Sequence, residues 1–134
     1  MAHKALLLTM LLATSAAHAA PLAVPPMAAT ARIPGADGGW DYASVDPASH
    51  RLLVSSSDGV MTLDLATSKM NPMFVPGERV HASFVIPGTN TDVSTNGTTN
   101  TAKLFDSTTG VVTATIKVVA KPDAATWDAK TGTV

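Results

Sequence analysis

The run Leu63 to Lys69 (Leu-Asp-Leu-Ala-Thr-Ser-Lys) returns 42 residues later as Phe105 to Val111 (Phe-Asp-Ser-Thr-Thr-Gly-Val). A second set agrees with it. Asp41 to Pro47 overlays His81 to Pro87 at an offset of 40, and Asp123 to Ala129 follows at a further 42. Self-similarity with a period of about 40 residues, made of short apolar runs and turn formers, is how a four-stranded propeller blade is written. One such sheet cannot bury both faces, so each repeat requires neighbours. Mature segments of about ten residues are all interrupted by Gly, Pro or β-branched clusters, which excludes helices. The expected fold is all-β: a partial β-propeller of two four-stranded blades and the first strand of a third.

Blade 1 is expected over about residues 40–80, blade 2 over 81–121 and a partial blade 3 over 122–134. In blade 1 the innermost strand lies within the Asp41 to Pro47 segment, which runs into a turn at Asp46 to His50, and the other strands are Arg51–Ser55, Val60–Leu63 and Met70–Val75. Asp58-Gly59 supplies a hairpin pair that tolerates positive φ. Pro72 cannot donate to a ladder and so belongs on an edge strand. Blade 2 repeats the pattern at Ala82–Ile86, Asp92–Thr95, Thr101–Phe105 and Val111–Val118. Gly110 falls where a left-handed residue is needed, and blade 1 has Ser68 there. Asp92 suits a strand only if it faces solvent. Blade 3 opens with Asp123 to Ala129, Trp127 lying mid-strand as a packing residue, followed by a turn at Ala129 to Gly132; the chain is expected to break off inside that hairpin.

The first 19 residues read as a cleaved signal peptide. Lys4 supplies a positive start, Ala5 to Ala16 is apolar, and Ala17-His18-Ala19 is a small-x-small cleavage pattern. The apolar run of about 12 residues is too short to span a bilayer as a helix. The mature protein is therefore expected in the periplasm or outside the cell, with no membrane span. Residues 20–38 form a Pro- and Ala-rich lead-in. Cleavage removes Lys4 and leaves eight basic against ten acidic residues, without a basic cluster, which argues against nucleic acid as partner. The chain has no cysteine, so neither disulfides nor thiolate metal sites can hold it.

Val45 to Ser55, the Asp64 to Lys69 turn, Val93 to Asn96 and Lys121 to Ala124 together resemble the YVTN-repeat β-propellers, the exported YncE-like family. Tyr is missing from the slot that names the family, where Leu52-Leu53 and Asp92-Val93 stand. The resemblance covers residues 38–134 and implies seven-bladed rings, of which this sequence would be an incomplete part. It implies a binding or scaffolding module without catalytic residues. The alternative is a piece of a lactonase-like or quinoprotein-dehydrogenase-like propeller enzyme.

Asp41, His81 and Asp123 occupy equivalent repeat positions just before the innermost strands, and Trp40 and Arg79 flank them. In a closed ring such positions gather at the mouth of the central channel. Two readings stand: the set binds a divalent cation or polar ligand, or each side chain hydrogen-bonds backbone in the tight connection between blades. No cofactor is expected. Partners would be an unidentified protein, glycan or small molecule, with self-association through open sheet edges. Met61, Met70 and Met73 read as core filling rather than copper ligands. His50 belongs to a solvated turn, and Asn96-Gly97-Thr98 is formally a glycosylation sequon.

Overall fold

A computed structural model describes residues 25–134; the expected signal peptide at 1–19 lies outside them. Among the described residues there are eight strands and no helix, arranged as two antiparallel sheets of identical order. The first comprises β1 (Trp40–Asp46), β2 (Arg51–Ser56), β3 (Gly59–Asp64) and β4 (Met70–Pro76). The second comprises β5 (Val80–Val85), β6 (Thr91–Asn96), β7 (Thr101–Asp106) and β8 (Val112–Lys117). Within each sheet every strand pairs with its sequence neighbours, so both sheets are meanders joined by tight turns.

Three of those turns, and one in the third segment, are built by aspartate. Asp46, Asp64 and Asp106 each accept the backbone N–H groups two and three residues on, at 2.7–3.4 Å. Asp128 accepts the Lys130 N–H at 2.9 Å and the Thr131 hydroxyl at 2.7 Å. The residue four positions on then takes a left-handed backbone: His50 (φ 53°), Ser68 (57°), Gly110 (73°) and Gly132 (70°). A short acceptor that mimics a backbone turn is what Asp offers at such positions. These donors hold the carboxyls below the usual range, led by the Thr67 amide at Asp64, the Thr109 hydroxyl at Asp106 and the Thr131 hydroxyl at Asp128. At Asp46 burial pushes upward, but Ser49, Ala48 and Arg51 together outweigh it.

Pro72 lies in the edge strand β4, where the register with β3 slips between Val60 and Thr62. Met61 is buried, yet Met73 is half exposed beside that irregularity, so core filling does not extend to it. Leu53, Val60 and Val75 from the first sheet meet Val80 and Phe105 from the second in one apolar core, bordered by Phe74 and Val85. Full burial of such side chains is worth about 1.5–3 kcal/mol each.

Two expectations need correction. Asp92 does not face solvent; it is completely buried. Arg51 of β2 donates to Asp92 Oδ2 at 3.3 Å and the Ser107 hydroxyl, in the turn after β7, to Oδ1 at 2.6 Å, so the carboxylate has partners from both repeats. The same guanidinium lies 3.5 Å from Asp46 and 4.8 Å from the centre of the Phe74 ring. Burial still dominates and raises the Asp92 carboxyl above the usual range. The second correction concerns the third repeat. Residues 122–127 form no strand, and Trp127 is half-buried outside any ladder. A strand needs a partner along its length, and here pairing is limited to the bridge Asp128↔Thr133. That bridge repeats the pairing Asp46↔Arg51 at the start of the first hairpin.

Candidate functional site

β1 and β5 pack side by side, tied by the Ser44 hydroxyl, which donates to the Ser83 carbonyl at 2.7 Å. Ser55 and Ser83 share a further hydroxyl hydrogen bond at 3.0 Å. On the other side, the Thr95 hydroxyl donates to the Asp123 carbonyl at 2.8 Å and anchors the third segment. Tyr42, Ala82 and Ala124, equivalent in the three repeats, line one hollow of about 460 Å³ with Phe84 and Trp127. Segments of all three repeats therefore border one hollow.

Both inner strands carry a bulge at the same repeat position, between Trp40 and Ala43 in β1 and between Val80 and Ser83 in β5. A bulge bends its strand and re-aims side chains. The residues it displaces include Asp41 and His81. His81 Nδ1 lies 2.7 Å from Asp41 Oδ2 and 3.7 Å from Asp123 Oδ1, and the potential ligand atoms of the three residues all fall within 4.8 Å of one another. The His81 side chain is 17% exposed, against 38% for Asp41 and 71% for Asp123. Gly97 makes the imidazole's place possible: a β-carbon there would stand 2.8 Å from His81 Nε2.

Arg79 is held by its backbone. Its N–H donates to the Ser57 carbonyl at 2.6 Å, its carbonyl accepts from Gly97 N–H at 2.9 Å, and its φ is 52°. A non-glycine residue in this region is uncommon and is retained where surrounding bonds over-determine it. Arg79 and His81 line two adjoining hollows, one of about 600 Å³ with Trp40, Asp58 and Glu78, the other of about 520 Å³ with Lys121 and Asp123. Trp40 is 54% exposed, with its indole N–H donating to the Ala36 carbonyl at 3.0 Å.

Thus Asp41, His81 and Asp123 meet, while Trp40 and Arg79 stand on the rim. The backbone-only reading of the trio does not describe Asp41 and His81, which bond each other side chain to side chain. Sequence reasoning passed over Lys121. It stands 42 residues after Arg79, shares its left-handed φ (53°), and donates its N–H to Asn100 Oδ1 at 2.7 Å. The offset alone was a sufficient signal. The role of Gly97 had none, since only the fold brings it against His81. The sequon is closed to modification: Asn96 is fully buried, its amide directed to Ser94 and its carbonyl oxygen to the Glu78 N–H. No protein-family model matches the chain, and no curated protein shows significant similarity to it.

Proposed function

We propose that the chain is an exported, YVTN-type propeller segment that works as a non-catalytic binding module, with its ligand seated at the mouth formed by Trp40, Asp41, Arg79, His81 and Asp123. One observation carries this reading: three side chains at equivalent repeat positions, each from a different repeat, converge on one point. Repeats that meet about an axis are the arrangement by which propellers build a shared mouth. The mouth offers a ligand acceptors in the two carboxylates, cationic donors in Arg79 and Lys121, and an aromatic face in Trp40. Such a mixed set suits a small polar ligand bearing both hydroxyl and anionic groups, held by a few convergent polar groups above apolar walls.

Trp40 reports on occupancy directly. In a Trp127→Phe chain it is the only indole left. Its fluorescence is titrated with a panel of neutral sugars, uronic acids, dicarboxylates and phosphate esters. A saturable change with one class, weakened by Arg79→Ala, is the expected outcome. A flat response across the panel removes the mouth as a small-ligand site. Convergence of the repeats is checked separately by introducing cysteines at the exposed Tyr42 and Ala124, which is clean because the chain has none of its own. Rapid intramolecular cross-linking by a short bismaleimide is expected, and none would break the axial arrangement.

A further inference from the structure

We infer that Asp41, His81 and Asp123 form a binding site for a borderline divalent transition ion such as Zn²⁺; this rests on the mouth being the binding site proposed above and names one component of what it holds. The donor set is two carboxylate oxygens and one imidazole nitrogen, hard enough to exclude Cu(I) and containing the nitrogen that Zn²⁺ and its neighbours prefer. Three protein ligands with solvent at the remaining positions is the open form of such a site.

Charge supports the assignment. Among the described residues, neither Asp41 nor Asp123 is ion-paired with a lysine or arginine, and their shared neighbour is a single imidazole. Asp123 lies 3.7 Å from Nδ1, beyond hydrogen-bond reach. With one imidazole as their shared neighbour, the two carboxylates keep acceptor capacity that a cation could take up. A dication placed between the three atoms would satisfy both carboxylates at once. The His81 separations of 2.7 and 3.7 Å lie either side of the ligand-to-ligand spacing of roughly 3–3.5 Å that metal–ligand bonds of about 2.0–2.2 Å produce, within a cluster whose atoms all fall within 4.8 Å. The largely exposed Asp123 side chain would move inward to complete the set.

The site is also pre-positioned. The imidazole lies against the Gly97 backbone, where a β-carbon would stand 2.8 Å from Nε2 and push the ring aside. Asp41 and His81 are directed by matched bulges, and Asp123 is anchored through its own carbonyl by Thr95. Binding at Nδ1 would break the hydrogen bond to Asp41 and require the ring protonated at Nε2 alone: a neutral Nδ1–H ring moves its proton to Nε2, and a protonated one releases its Nδ1 proton to solvent.

The full chain is titrated calorimetrically with Zn²⁺ alone, beside Asp123→Asn, His81→Gln and His50→Gln. Asp123 is largely exposed, so its replacement leaves folding intact even where His81→Gln does not. One equivalent bound by the parent is expected. Affinity should fall in Asp123→Asn by at least the roughly 10–100-fold that loss of a mere supporting partner causes, with His50→Gln unchanged. Absence of binding, or equal affinity in parent and Asp123→Asn, overturns the ion site. A Trp40 response to the ligand panel in metal-free buffer would then still uphold the mouth as a binding site, so the two ideas fail separately.

Discussion

β2 and β6 occupy the same place in their sheets, at an offset of 40, yet they are held by different chemistry. In β2, Leu53 and Ser55 are buried while Leu52 and Val54 are partly covered. In β6 every residue from Asp92 to Asn96 is buried, and four of those five are polar. Each polar group finds a partner. Asp92 reaches Arg51 and Ser107, Thr95 accepts the Ala82 N–H and donates to Asp123, and Asn96 accepts the Glu78 N–H. Apolar contact is tolerant of small displacements, whereas a buried hydrogen bond is not. β6 therefore fixes how the second sheet sits against the first sheet and the third segment. The cost of that precision falls on Arg51, whose Nε is buried without a partner.

This contrast can be broken, beginning with the largest effect. Leu53→Ala should destabilise the fold by about 2–5 kcal/mol through a core cavity, measured by denaturant unfolding. Asp92→Ala should cost about 1–3 kcal/mol, because Arg51 and Ser107 lose a buried acceptor. Replacing Arg51 by Met and Asp92 by Leu together should recover much of that loss. If the double variant is instead as unstable as the worse single one, the ion pair does more than satisfy itself.

The titration of these groups sharpens the comparison. Asp92 is raised in the folded state, so its contribution is fully present below 3.8, the ordinary carboxyl value, and declines as pH rises through its higher folded value. Asp46 is lowered, so its contribution is present above 3.8 and disappears as pH falls through its lower folded value. Asp92→Asn should therefore remove a downward slope of stability just above pH 3.8, and Asp46→Asn should flatten the acid limb below it. Chemical denaturation across that range decides both, and identical slopes in parent and variants would contradict the assignment.

Smaller effects belong to the turns. Gly110→Ala should cost about 1 kcal/mol or more, since it forces a left-handed backbone on alanine and drives a β-carbon onto the Phe74 carbonyl. Ser68→Gly should do the opposite, stabilising by up to about 1 kcal/mol at φ 57°. A thermal melt that ranked them the other way would show that the two turns are not equivalent.

Much of the hairpin architecture was readable because its causes are local. Strand limits followed from alternation and from Asp, Gly and Pro at the turns, and the observed ends differ by one or two residues. Asp41, His81 and Asp123 were singled out by repeat position alone, and they meet. Asp92 misled because a lone carboxylate in a strand signals solvent unless its counter-charge is known, and Arg51 stands 41 residues away. The segment around Trp127 misled for a different reason. Its composition suits a strand, but composition cannot supply a ladder partner.

What the chain's order of residues settled by itself was the all-β class, the meander of each sheet and the register of its turns, all set by interactions spanning a few residues. Tertiary structure alone decided which polar side chains could be buried, where the paired bulges turn Asp41 and His81, and that Gly97 must stay bare beside an imidazole. Those outcomes depend on groups brought together from distant repeats, and no local pattern records whether a buried charge or donor will find its partner.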